Sequence, residues 1–241
     1  MTNTLPILVL NARPAAGKSE IIHYLESLPL EERELRFHIG PMKILDDFPM
    51  LWRWFEEDDI LEKELHQARL HSTSDHYFLD KNLWNLLVRR LSLEYEKWMR
   101  DASGDETVIF EFSRGSEHGG YQTAYVHLSE NILAHCASLY IQVSFEESLR
   151  KNRRRTNPKR PDSILEHALS DSKMERLYRE DDWRQFSAQD TEYLLLEGKR
   201  IPYVIFDNED DVTTRAGSEL GTRLEKSLAV LWDLWRERQN S

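Results

Sequence analysis

Lys18 and Ser19 stand at the end of a small-residue loop, Ala12-Arg13-Pro14-Ala15-Ala16-Gly17, that follows the apolar run Leu5-Pro6-Ile7-Leu8-Val9-Leu10-Asn11. After them come Ile21, Ile22 and Leu25 at helical spacing. A buried strand, a tight loop and a helix in this order form a cradle for a polyphosphate: backbone N–H groups of the loop and the positive end of the helix face the anion. Lys18 would then reach the terminal phosphates, and the Ser19 hydroxyl would hold a Mg²⁺ ion. One position departs from the strict pattern, because Ala12 stands where the first glycine is expected. An alanine there must avoid positive φ, a restriction that a working loop tolerates. The plainer alternative is an ordinary strand–turn–helix containing an incidental Gly-Lys-Ser.

A second chemical segment is Thr107-Val108-Ile109-Phe110-Glu111-Phe112-Ser113-Arg114, an apolar strand that carries an acid at its C-terminal end. In open α/β sheets that edge faces the ligand. Glu111 there could bind the metal or take a proton from an attacking hydroxyl, and Arg114 could pair with a phosphate or carboxylate. The Gly-rich stretch that follows, Ser116 to Gln122, reads as a loop over the site, with His118 a candidate substrate contact.

The third segment, Arg150 to Arg160, holds seven basic residues and no acid. A solvated face, a nucleic-acid patch and a lid that brings arginines to a transferring phosphoryl group all fit such a run. For the lid, Arg150 and Arg154 share one helical face and are the favoured pair.

The elements that must position these residues alternate between strand and helix, the signature of a mainly parallel sheet covered by helices. Strands are expected at Leu5–Asn11, Leu35–Ile39, Thr107–Phe112, Leu139–Val143 and Tyr203–Phe206. Helices are expected over Ile44–Leu65, over Asp80–Met99 with Asp80 as cap, and along Leu224, Leu228, Leu231 and Trp235. At 241 residues the chain fits one α/β domain, with a helical insertion at about 41–104 and a lid at about 150–200.

Composition narrows the function classes. A formal net charge of −11 repels nucleic acid, and the single cysteine, Cys136, excludes an internal disulfide. No apolar run is long enough for a membrane span and no charged leader is visible, so a soluble, cytoplasmic protein is expected.

With these three segments the chain resembles the P-loop small-molecule kinases, the superfamily of nucleoside monophosphate kinases, deoxynucleoside kinases, shikimate kinase and gluconate kinase. The matching pieces are Ala12–Ser19, Glu111–Arg114 and Arg150–Arg160. The resemblance implies a three-layer fold around a five-stranded parallel sheet, Mg-ATP as phosphoryl donor and a closing lid. It also implies that Phe206-Asp207-Asn208 receives the adenine, so Asn208 joins the loop as a nucleotide contact. The acceptor site would lie after the second strand, where Asp46 or Asp47 competes with Glu111 as general base, Lys43 could hold an anionic group, and Phe48, Trp52, Trp54 and Phe55 supply an aromatic wall. The alternative there is that Asp46 caps a helix and the aromatics are core. The Asp-Arg pair usual at the third strand of nucleoside kinases is missing, since the arginine is displaced by two residues. The expected partners are ATP and a small-molecule acceptor. An acceptor-free nucleotide switch and a nucleic-acid end kinase are the competing functions.

Overall fold

Residues 3–155 and 168–240 are described by the structure, a computed structural model. In chain order the elements are β1 (Ile7–Ala12), α1 (Lys18–Glu26), α2 (Leu30–Phe37), β2 (Met42–Asp46), α3 (Phe48–Lys63), α4 (Asn82–Trp98) and β3 (Thr107–Phe112). They continue with α5 (Gly120–Val126), α6 (Glu130–His135), β4 (Cys136–Gln142), α7 (Phe145–Arg154), α8 (Asp171–Tyr178) and α9 (Trp183–Phe186). The last are β5 (Tyr193–Leu196), β6 (Lys199–Asp207), α10 (Val212–Arg215) and α11 (Gly217–Gln239).

β1 is buried along its whole length because its side chains alternate between two cores. Ile7 and Val9 pack toward α4, α5 and α9, whereas Leu8 and Leu10 pack toward α1, α2 and α11. Helices therefore cover both faces of the sheet, and the fold is a mixed α/β arrangement in three layers. The strand order is β2-β3-β1-β4-β6-β5. The first five strands are mutually parallel, and β5 runs antiparallel to β6. Among the described residues no helix is long and apolar enough to cross a membrane.

The sheet has six strands rather than the expected five, and two expectations fail for identifiable reasons. Residues 35–39 are not a strand. Phe37 ends α2, whose first turn carries Glu31 and Glu32 behind Pro29, and His38 closes the helix at φ 55°. The second strand lies further on, at Met42–Asp46. It is a half-buried edge strand whose polar neighbours hide its pattern. The added strand, β5, pairs with β6 through a turn at Glu197 (φ 47°) and Gly198 (φ 81°), the positive-φ geometry of a tight two-residue hairpin.

These findings also redraw the proposed subdivisions. The stretch 41–104 includes β2, which belongs to the sheet, and α4, whose Val88, Leu91 and Tyr95 are buried in the main core, so the insertion reduces to α3 and the loop that follows it. Trp183, Phe186 and Tyr193 are buried in the main core, so the chain from 183 onward belongs to the body of the fold and not to a lid. Thr156 to His167 lie outside the described residues, and with them Lys159 and Arg160.

The loop between α3 and α4 is organised by one buried acid. Asp58 is fully buried on α3 and accepts from the backbone N–H groups of Leu70, His71 and Ser72 and from the Ser72 hydroxyl. Despite burial, these hydrogen bonds hold its carboxyl below the usual range. The loop so anchored carries His76, Tyr77 and Phe78 to the rim of the site described next.

Candidate functional site

At the C-terminal end of the parallel strands the chain encloses a cavity of about 860 Å³. One end is lined by Pro14, Ala15, Lys18 and Ser19, the middle by Asp46, Glu111 and Ser113, and the far end by Phe48, Trp52, Phe55, Phe78 and Trp84. The volume lies within the range of small-molecule sites.

The loop at the near end is held by its own carbonyls. Ser148 of α7 donates to Pro14 O at 2.7 Å, and Asn208 donates through Nδ2 to Ala16 O at 2.8 Å. Ala12 sits in extended backbone at the end of β1, so its lack of glycine freedom costs nothing. The left-handed positions are instead Ala15 (φ 58°) and Gly17 (φ 118°). A Cβ on Gly17 would come within 2.8 Å of both Thr213 Oγ1 and Asn208 Nδ2, so this position needs glycine on two counts.

Lys18 is buried and donates to Ser113 Oγ at 2.8 Å, with its ammonium 3.9 Å from Glu111 Oε1. Burial lowers its pKa, opposed by the charge of Glu111. Ser19 Oγ lies 3.5 Å from the same Glu111 oxygen. The expected lysine, serine and glutamate therefore converge from two segments more than ninety residues apart. Asp46 pairs in register with Glu111 across β2 and β3, and its Oδ1 accepts from Phe48 N at 2.9 Å. Burial, then the neighbouring Glu111 and Asp47, push the Asp46 carboxyl up to about 7. Burial also raises Glu111, against the pull of Lys18 and Arg155.

Five expected contacts are engaged or placed elsewhere. Arg114 is buried and forms an ion pair with Asp47 at 2.6 Å, while donating to Ser113 O and Trp84 O. It borders the cavity but is committed to holding Asp47, which leaves Asp46 as the open acid of the pair. Arg13 points away from the cavity, to Asp181 at 2.9 Å and to the carbonyls of Val143 and Tyr178. Asn208 is fully buried under the loop, where it supports Ala16 and Gly17 and has no surface to offer an adenine. Arg150 is tied to Glu147 and to Asp211, and Arg154 is exposed; neither lines the cavity.

In α7 and at its C-terminal cap, the residues that face the cavity are Asn152 and Arg155. Ser148, Asn152 and Arg155 recur at helical spacing, a stripe of one basic and two uncharged polar residues inside a basic run. That stripe was the available signal for Arg155, and charge density alone obscured it. Ser113, the partner of Lys18, had no signal beyond its position. Trp54 stacks on His71 and not in the cavity, and Lys43 lines a separate groove with Arg53 and Arg90.

Opposite the loop, Asp211 binds Lys151 at 2.6 Å and Arg150 at 2.8 Å. Burial raises the Asp211 carboxyl, but hydrogen bonds from Lys151, Thr214 and Arg150 outweigh it and hold it at about 2. A depressed carboxyl contributes stability above its unfolded value, and this is lost as pH falls from about 4 toward 2. Asp211→Asn should therefore cost about 2 kcal/mol near pH 7. Denaturation curves should show that deficit shrinking across the same acid window, and a deficit independent of pH would remove the charge argument.

No family model matches this chain, and no curated protein matches it. Among solved structures it is similar to the crystal structure of TT1252 from Thermus thermophilus, at 15% identity and a TM-score of 0.44, over 96% of this chain and 98% of that one. Identity and TM-score at these levels transfer neither activity nor ligand.

Proposed function

We propose that this protein is a kinase that transfers the γ-phosphoryl group of Mg-ATP to a small-molecule acceptor. The observation that carries the reading is the continuity of one cavity from the Pro14–Ser19 loop, past Glu111 and Asp46, into an aromatic chamber. A phosphate cradle alone would serve a switch, whereas a chamber joined to it gives room for an acceptor. Arg150, Arg153 and Arg155 each pair with acids of this chain, Arg150 with Glu147 and Asp211, Arg153 with Asp171 and Arg155 with Glu20, which speaks against a basic groove for nucleic acid.

The residues fit Mg-ATP. Buried Lys18 suits a terminal phosphate. Ser19 and Glu111 would hold the metal. Among the described residues no cluster of three or more acidic, histidine or cysteine side chains forms a closed metal cage. Mg²⁺ typically binds to one or two protein groups together with substrate phosphates, so two ligands suffice. The metal supplies charge neutralisation on the phosphates when bound. Asp46 is one strand further toward the chamber and is the better placed base. It would take the proton of the acceptor hydroxyl as the oxygen bonds to the γ-phosphorus and the bond to ADP breaks. Arg155 would add positive charge at the transferring group.

The test is ADP release by the purified 241-residue chain with Mg²⁺, alone and against pools of nucleosides, nucleotides, sugars and small acids. Stimulation by a pool, with a phosphorylated product, is the expected result. Tight ATP binding that no pool stimulates would replace the kinase with a nucleotide switch. Within the kinase, the two acids should separate. Glu111→Gln should raise the Mg²⁺ concentration needed for half-maximal rate, and Asp46→Asn should lower the rate ~10²-fold at saturating Mg²⁺. Equal metal dependence in both variants would undo this division.

A further inference from the structure

Most of the charges around the chamber are answered within the chain. Arg114 holds Asp47, Lys18 faces Glu111, Arg155 faces Glu20, and His76 faces Asp59. Arg176 grips Glu117 with two N–H groups, Nε at 3.0 Å and Nη2 at 2.7 Å. His118 is buried against Trp84 and Tyr178, and burial, then the nearby Arg114, keeps its imidazole uncharged. Two lysines that line the same space, Lys81 and Lys173, form no ion pair among the described residues. Acids outnumber bases in this chain, yet none closes on either lysine.

The two come from separate elements that look into the cavity. Lys81 stands at the start of α4, one turn before Trp84 and on the same face. On α8, Ser170, Lys173 and Leu177 recur at helical spacing, and all three border the cavity. The Lys173 ammonium lies 5.4 Å from the centre of the Tyr77 ring, which is itself part of the wall. The same ring carries the Arg176 guanidinium at 4.4 Å, so Glu117 is spent on that arginine and leaves Lys173 without a counter-charge. Lys173 is half-buried, and burial lowers its pKa, opposed only by the charge of exposed Asp75. An ammonium withdrawn from water in this way gains from any anion that reaches it.

The acids that form no ion pair, Asp46 and Glu56, stand on the other side, at the end of β2 and along α3. Unmatched charge is thus sorted across the chamber, with cations on α4 and α8 and acids on β2 and α3. We propose that Lys173 and Lys81 bind an anionic group, a carboxylate or a phosphate, on an acceptor whose apolar body lies between Phe55, Phe78 and Trp84. The inference rests on reading the chamber as the acceptor site, and it adds the substrate class: an anion with a flat apolar body. Aromatic walls favour a planar ring, and a neutral molecule of the same shape forgoes the charge-assisted hydrogen bonds.

The experiment uses calorimetric binding without nucleotide, so it can fail while ATP turnover succeeds, and the reverse. The probes are 2-naphthoate, 2-naphthyl phosphate and the neutral 2-naphthamide, which share one ring system. At least one anion is expected to bind the 241-residue chain ~10-fold more tightly than the amide, and the tighter of the two distinguishes carboxylate from phosphate. Lys173→Met keeps an unbranched apolar stem and removes the charge. It should cut that preference at least ~3-fold, and adding Lys81→Met should bring it to about one, with amide binding held within twofold. No preference in the unmodified protein, or one that survives the double variant, overturns the proposal. A preference that depends on Lys18 and not on Lys173 places the anion on the loop and overturns it too. Should the variants fail to fold, ¹³C-lysine spectra of the unmodified protein decide. The Lys173 Cε resonance should move with the preferred anion and stay in place with the amide, and no such difference overturns the proposal. Failure of all three probes to bind overturns it as well, while the kinase reading is judged by ADP release.

Discussion

Lys18→Ala is expected to reduce Mg-ATP turnover by at least ~10²- to 10³-fold, the loss typical of removing one preorganised group that meets developing charge. The expectation follows from where the ammonium sits. It is buried, it donates to Ser113, and it stands 3.9 Å from Glu111. A lysine buried this way has little screening, so its charge acts strongly on a phosphate beside it. The fold should tolerate the change better than the chemistry does. Burial already opposes the charged form of Lys18, so a neutral replacement removes a cost along with the attraction to Glu111. Circular dichroism of the variant should match the parent while ADP release collapses. Unchanged turnover with the fold intact would mean that the Ala12–Ser19 loop does not hold the phosphates.

The second large effect is on stability, at a residue whose sequence context suggests catalysis. Arg114→Met should destabilise the protein by about 3–5 kcal/mol, the usual cost of removing one partner from a buried ion pair. Asp47 would be left with its charge uncompensated, and the carbonyls of Trp84 and Ser113 would lose their donor. Pairing the change with Asp47→Asn should recover part of the loss, because the stranded charge is then gone. Denaturant titration of the two single variants and the double variant measures this coupling directly. Strict additivity would show that the guanidinium acts by packing on Trp84 and Phe112, over whose rings it lies at 5.3 Å, and not by its charge.

The near end of the site was readable from the sequence because its chemistry is contiguous. The loop proposed to cradle phosphates is a local object, and Lys18 and Ser19 follow it directly. Glu111 was readable for a different reason: a strand end in a parallel sheet has a known direction. What escaped was pairing. Nothing local tells that Arg114 is taken by Asp47, that Arg13 is taken by Asp181, or that Asn208 lies under the loop, since each partner is distant in sequence. The same holds for α7, where burial of Ser148 and Asn152 and not charge picks out the inward face. In the fold, the buried strands β1, β3 and β4 were recognisable by apolar runs. The edge strand β2 was not, because four of its five residues are only partly buried, and β5 was lost among charged neighbours although Glu197-Gly198 marked its turn.

The aromatic lining has a practical consequence of its own. Of seven tryptophans, Trp52 and Trp84 border the cavity, and Trp54 joins them through Phe78, whose ring is 5.7 Å from Trp54 and 4.8 Å from Trp84. Indole emission responds to polarity and to stacked neighbours, and here two of the emitters border the chamber and a third contacts its wall. The protein thus contains its own optical gauge of occupancy. Filling the chamber should change both the colour and the brightness of its ultraviolet fluorescence, so binding can be followed in real time without a label.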